Sequence, residues 1–217
     1  MNARSFFLRM ALALGIVLLA GQPAAHAQDA DAVFDRLQKK YNSLQALRAE
    51  FTQTMTSSFS EEAARSSGTL ILQGDQYRVE TGAQVLVANG SETFVYLPQQ
   101  KQVIINDATD DETAFSPSEF LTRYDERFRV ERVETETVAG ARHFKLTLAP
   151  RDPSSFFRQA TLWLRDRDDI ITRLEVLDVN ETRMLFELKN VELNPRLEST
   201  TFIFEAPTGV EVIDLRS

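Results

Sequence analysis

The sequence predicts a mainly β (α+β) protein: one strongly curved antiparallel sheet with an N-terminal helix and a short second helix. Three observations predict it. Apolar residues recur at helical spacing only near the start of the chain and once in its middle. Elsewhere short stretches alternate apolar and polar residues, the period of a strand with one face buried. Brief turn signals separate those stretches, and connections that short join antiparallel strands, since parallel neighbours need long crossovers.

The chain opens with a leader. Arg4 and Arg9 precede the apolar run Ala11 to Ala20, and Ala25-His26-Ala27 forms a small-residue cleavage site ahead of Gln28. This is the layout of a secretory signal peptide, and its apolar core is too short to span a bilayer. Residues 1–27 are therefore expected to be removed, leaving a single domain over 28–217 exported to the periplasm. No Cys follows the cut to take a lipid, and with 0 Cys in the chain thiol catalysis and Cys-based metal sites are excluded. Loss of the leader removes two Arg and no acid, so the net charge moves from -8 to -10. That sign disfavours nucleic acid and anionic membrane surfaces.

Residues 30–45 read as a helix, capped by Asp29 or Asp31. Val33, Phe34, Leu37, Tyr41 and Leu44 share one face, and Asp35, Arg36, Lys39 and Lys40 the other. Alternation follows in Ala49 to Met55, Thr69 to Leu72, Tyr77 to Thr81, Thr93 to Leu97 and Gln102 to Ile105. Turns are expected at Gln73-Gly74-Asp75, Thr81-Gly82, Asn89-Gly90 and Pro98-Gln99-Gln100.

The segment Phe115 to Phe120 interrupts the strands. Ser116 as N-cap, Pro117 at the first helical position, Glu119 closing a capping box and Phe115 stapling to Phe120 predict a helix over 117–125. Phe120, Leu121 and Tyr124 form its apolar face. Strands then resume over 128–136, 142–149, 160–165, 170–179 and 184–193, with hairpin turns at 166–169 and 178–182, and a last extended segment at Thr201 to Phe204.

About ten strands, each rotated by roughly 20° from the next, must curl and present a concave face. The set expected to face inward is Phe51, Leu70, Leu72, Tyr77, Val79, Val85, Val87, Phe94, Tyr96, Val103, Ile105, Phe144, Leu146, Leu148, Leu162, Leu164, Leu174, Val176, Met184, Phe186 and Leu188. Two short helices then either fill the concavity as an ordinary core or leave an apolar space behind a movable lid.

No spacing suggests a catalytic constellation, and no cofactor is implied. His143, the one His beyond the leader, alternates with apolar neighbours and is expected at the outer surface. Asp107, Asp110, Asp111 and Glu112 lack the spacing and glycine of a calcium loop and read as a solvated loop, so no metal site is expected. Trp163 falls on the face opposite the concavity and is expected to pack against a helix or a crossing strand.

The run Leu37 to Gln53 resembles the opening helix and Phe-x-Gln strand of the outer-membrane lipoprotein carrier family, LolA. Gly68 to Leu72, Val85 to Gly90 followed by Phe94 to Pro98, Phe144 to Leu148, and Phe202 to Val212 resemble later strands of that family in the same order. The resemblance covers nearly the whole chain after the leader. It implies an unclosed antiparallel β-barrel with helical lids over the concave apolar face. It also implies a function without covalent chemistry: binding the lipid-modified N-terminus of lipoproteins, accepted from an inner-membrane ABC-type exporter and yielded to an outer-membrane acceptor.

On that reading the inward set is the lipid-binding cavity, and Phe115, Phe120, Leu121 and Tyr124 are the lid. A monomer is expected by analogy with a soluble shuttle. One departure stands out. Family members carry an Arg-Pro pair after the second strand, its Arg linked to lid closure; Gly74 and Asp75 occupy that place here, and nearby Arg78 is not assigned the role. A carrier of another periplasmic lipid, or a lipoprotein-sensing regulatory module, would share the same sheet.

Overall fold

A computed structural model describes residues 24–57, 60–108, 121 and 124–216. Helix α1 (Ala24–Asn42) leads into strands β1 (Leu47–Ser57), β2 (Ser60–Gln73), β3 (Gln76–Thr81), β4 (Val85–Ala88), β5 (Glu92–Leu97) and β6 (Gln102–Asp107). A one-turn helix α2 (Tyr124–Arg127) precedes β7 (Phe128–Val138), β8 (Ala141–Pro150), β9 (Phe157–Arg165), β10 (Ile170–Asp178), β11 (Arg183–Leu193) and β12 (Glu211–Asp214). The strands form one sheet in the order β12-β6-β5-β4-β3-β2-β1-β11-β10-β9-β8-β7. Every pairing is antiparallel except β12 with β6. The described end strands β7 and β12 are not paired to each other, so the barrel is unclosed.

The tight turns set the register. Gly74 and Asp75 close the β2–β3 hairpin with Gly74 at φ 58°, which glycine adopts without strain. That turn places Leu72 opposite Tyr77 and Leu70 opposite Val79. Gly68 has a different reason. A Cβ there would lie 1.9 Å from the Glu80 carbonyl oxygen and 3.2 Å from Phe51 Cε1, so only glycine lets β3 press this close.

Helix α1 begins earlier than expected and ends at Asn42. Its apolar face, with Val33, Leu37 and Tyr41, is buried in the core. Several bonds tie it to the β9–β10 turn. The register shift between Ile171 and Arg173 frees the Ile171 amide, which donates to the Tyr41 hydroxyl at 2.8 Å. Burial holds the Tyr41 phenol well above its ordinary pKa. Arg36 reaches Asp169 at 3.5 Å and stacks on Phe144, Lys40 donates to the Asp168 carbonyl, and Gln38 donates to Asp125. Helix α1 is therefore a strapped part of the core.

The expected 117–125 helix falls largely outside the described residues, as do Phe115 and Phe120. Leu121 has helical backbone, and Tyr124 opens α2. The extended segment expected at Thr201 to Phe204 is not a strand. It lies across the back of the sheet in irregular conformation, and the last strand is β12, further along.

Candidate functional site

The register sorts the expected inward set into two faces. Phe51 pairs with Leu188 and Gly68, and Leu174 with Phe186 and Leu162, so these side chains share the concave face with their partners. Phe144, Leu146 and Leu148 on β8, Leu162 and Leu164 on β9, Leu174 and Val176 on β10, and Met184, Phe186 and Leu188 on β11 all lie there. Leu70, Leu72, Tyr77 and Val79 complete the concave set from β2 and β3.

The remaining members of that set face the other way. Val79 pairs with Leu86, Leu86 with Val95, and Val95 with Ile104, so it is this row that is concave. Val85, Val87, Phe94, Tyr96, Val103 and Ile105 occupy the alternate positions, on the convex face. There they form a second apolar layer with the C-terminal segment. Phe94 stacks on Phe204 at 5.5 Å, Tyr96 lies 6.1 Å from the same ring, and Val87, Val103 and Phe202 are buried. The cause is that β4–β6 are apolar at both parities, and alternation cannot orient such a strand. Arg78 also points to this back face, paired with Glu80 at 2.5 Å and donating to the Thr201 carbonyl at 3.3 Å.

The concave face itself is divided. Beneath α1 it is solid: Leu146, Leu162, Leu164 and Val176 are fully buried together with Leu37 and Tyr41. Away from α1, a cavity of about 310 Å³ opens between β10, β11 and β1–β4. Its walls are Phe51, Leu70, Val79, Leu86, Leu174, Phe186 and Leu188, with Leu121, only 3% exposed, closing one side. Phe51 and Phe186, diagonal neighbours on the paired strands β1 and β11, lie side by side in its wall with ring centroids 6.2 Å apart. Gln53, Ser66, Thr81, Ala83 and Gln84 supply its polar and small lining residues, and the Ser66 hydroxyl donates to Gln53 Oε1 at 3.1 Å. No lining residue carries a charge, so the space suits an uncharged apolar ligand.

Of the expected cavity residues, Phe51, Leu70, Val79, Leu174, Phe186 and Leu188 line this space. Leu72, Tyr77, Leu146, Leu148, Leu162, Leu164 and Val176 are core, and Phe144 and Met184 pack partly buried against it. Leu86 and the polar lining were missed. Hairpin arithmetic would have found Leu86: the Gly82-Ala83 turn sets Thr81 beside Gln84, which puts Leu86 opposite Val79.

A larger groove of about 700 Å³ runs between the C-terminal segment and β3–β5 on the convex side. Its lining is mixed, with Gln45, Gln73, Gln76, Asn89, Glu92 and Asn194 among it. His143 does lie on the convex face, but it is buried rather than exposed, with Nδ1 2.9 Å from the Ala141 carbonyl oxygen. Trp163 is also convex and buried; it packs under Lys145 and donates from Nε1 to Glu136 at 3.1 Å. Asp107 ends β6, and the rest of its acidic cluster lies outside the described residues. Among the described residues no group of three or more His, Asp or Glu could hold a metal ion.

The model of the family "Outer membrane lipoprotein carrier protein LolA" matches residues 42–205. The outer-membrane lipoprotein carrier protein of Pseudomonas paraeruginosa is 28% identical over 215 residues, spanning 95% of this chain and 99% of that protein. Its counterpart in Chromohalobacter salexigens is 25% identical over 209 residues, 94% of this chain and 96% of that one. Among solved structures, an uncharacterized conserved protein from Thermus thermophilus superposes with a TM-score of 0.54 at 16% identity, covering 86% of this chain and 99% of that one. That last likeness concerns the fold alone.

Proposed function

The chain belongs to the family of the outer membrane lipoprotein carrier protein LolA, and from that premise we propose that it carries lipoproteins through the periplasm with their acyl chains in the concave cavity. The observation that carries this reading is the uncharged apolar space of about 310 Å³ between β10, β11 and β1–β4. Each acyl methylene withdrawn from water contributes about 0.8 kcal/mol, so the cargo needs such a shield to cross an aqueous compartment. Transfer from an inner-membrane ABC-type exporter to an outer-membrane acceptor follows from the same reading, and no covalent step is involved. Among the described residues no helix is long and apolar enough to cross a membrane.

The space shown equals roughly ten water-sized volumes, too few for two long acyl chains. Loading therefore widens it, and Leu121 is the buried side chain that closes one side. Exposing a leucine costs about 1.5–3 kcal/mol, which offsets only part of the gain from a whole chain and keeps binding reversible.

The test is mass spectrometry of lipids extracted from protein purified out of the periplasm, with uptake of a dipalmitoylglyceryl-cysteine peptide by the delipidated protein. Acylated cysteine peptides after proteolysis are the expected finding. One observation favours a different cargo: Gly74 and Asp75 form a plain hairpin turn where the family has Arg-Pro. Recovery of a glycolipid precursor or another free lipid alone would decide for that cargo, and a protein that neither retains lipid nor takes up the lipopeptide would refute both.

A further inference from the structure

Strand β2 is longer than its neighbour on one side. It runs from Ser60 to Gln73, but β3 ends at Thr81, opposite Gly68, and turns back into β4. Across from it β1 continues, pairing Gln53 with Ser66, Thr54 with Arg65 and Met55 with Ala64. Among the described strands, Ala64 to Ser67 therefore has a partner on one side only.

Its backbone orientation follows from the turn. A two-residue hairpin is closed by a hydrogen-bonded pair, here Gln73 and Gln76, and bonding pairs recur at every second residue. The odd-numbered residues of β2 thus aim their N–H and C=O toward β3, and over the regular register beyond Gly68 those are Ser67 and Arg65. Both are exposed.

Such an edge is a template for another chain, and edges are ordinarily blunted by charge, bulges or proline. Edge strand β7 is blunted: Arg129, Glu131, Arg132, Glu134 and Glu136 line it, and it is bulged between Val130 and Arg132. The β2 edge carries Glu61 and Glu62 and an irregular register beyond Ala64, but its stretch next to the cavity is open. Ala64, Ser66 and Ser67 are small and uncharged, with Arg65 the one charge among the four. The edge also adjoins the cavity, because Ser66 lines it beside Thr81 and Ala83.

We propose that this edge receives an extended polypeptide as an added antiparallel or parallel strand, and that the polypeptide is the stretch following the acylated terminus of the cargo. The proposal rests on the lipid-carrier reading of the cavity. With acyl chains inside, the peptide joined to them must leave past Ser66 and meets open main-chain donors and acceptors there. Main-chain bonding is indifferent to side-chain sequence, and the small side chains leave room for whatever residues the cargo carries.

Amide hydrogen exchange read residue by residue tests it on the full exported chain. The two probes are dipalmitoylglyceryl-cysteine extended by a short serine-glycine peptide, and the same lipidated cysteine without peptide. With the first, the Arg65 and Ser67 amides gain protection; with the second they do not. Ala64 and Ser66, already bonded to β1, change little with either. Arg65→Pro, which removes only an outward donor, weakens the peptide-bearing probe on the order of tenfold and leaves the other unchanged. If both probes bind and neither protects Arg65 and Ser67, the edge proposal fails while the cavity reading stands. If neither binds, both fail.

Discussion

Val79→Phe separates a ligand cavity from a packing defect. Val79 is half-buried, lines the cavity, and sits in the row between Leu70 and Leu86. Phenylalanine carries about four more side-chain carbons, and at about 0.8 kcal/mol for each carbon removed from water the empty protein gains up to about 3 kcal/mol. A cavity of about 310 Å³ has room for the addition without the strain of overpacking. The same carbons then occupy space meant for cargo, so acyl binding loses about as much, on the order of a hundredfold in affinity. The two effects have opposite signs, as expected when a site for ligand is left unfilled at some cost to stability. Urea denaturation of delipidated protein gives the first, and titration with a fluorescent acylated peptide the second. Destabilisation together with unchanged affinity would refute the reasoning, because it would mean that Val79 is ordinary core and that cargo binds elsewhere.

Other outcomes follow from single contacts. Gly68→Ala sets a Cβ 1.9 Å from the Glu80 carbonyl oxygen; a loss of about 1–3 kcal/mol in urea denaturation is expected, and no loss would mean β3 stands off at no cost. Phe202→Ala removes a buried ring from the convex layer, costing about 3–5 kcal/mol while sparing lipopeptide affinity per folded molecule; loss of affinity would tie the back of the sheet to the site. Burial raises the Asp168 pKa, but hydrogen bonds and charge from Arg165 and Arg167 outweigh it and leave the carboxyl below the ordinary range. Its folded pKa lies below the unfolded one, so its stabilisation is present above the unfolded value and lost as pH falls through the folded one. Asp168→Asn should therefore flatten the acid limb of a stability–pH profile, and an unchanged limb would count against the Arg165 contact.

The sequence was most legible where one parity of a strand is clearly the more apolar. In β1, β2, β8, β9, β10 and β11 the two parities differ in this way, and Phe51, Leu70, Leu146, Leu162, Leu174 and Phe186 fall on the concave side as their spacing predicts. It was least legible in Val85 to Ala88, Phe94 to Tyr96 and Val103 to Ile105, where neighbours of both parities are apolar. There only the turn register orients the strand, and a one-residue slip reverses every side chain. The C-terminal Phe202-Ile203-Phe204 shows another limit. Its alternation is real, since Phe202 is buried, Ile203 is 55% exposed and Phe204 stacks on Phe94, yet it packs across the strands and joins no ladder. Alternation reports which side chains are covered, and hydrogen-bond partners must be inferred separately. The cavity was beyond reach for a related reason: a residue lining a void and a residue in solid core have the same apolar signature.

The packed layer behind β4–β6 bears on where the cavity would widen under the proposed reading. A sheet with solvent behind it bends at little cost, but here Val87, Val103, Phe94 and Phe202 form a packed layer behind the strands next to the cavity, and Arg78 bonds the overlying segment at Thr201. Bending this wall would disturb close-packed contacts, which have low compressibility. The wall under α1 is equally constrained, since Tyr41, Lys40 and Arg36 hold the helix to the β9–β10 turn. What remains adjustable is the side closed by Leu121, where one leucine's burial, about 1.5–3 kcal/mol, is balanced by two to four acyl methylenes. On the proposed carrier reading a short acyl chain barely compensates the opening while a long one does so several times over, and affinity that rises with chain length across a series of acylated peptides is the expected outcome; equal affinity for short and long chains would refute it.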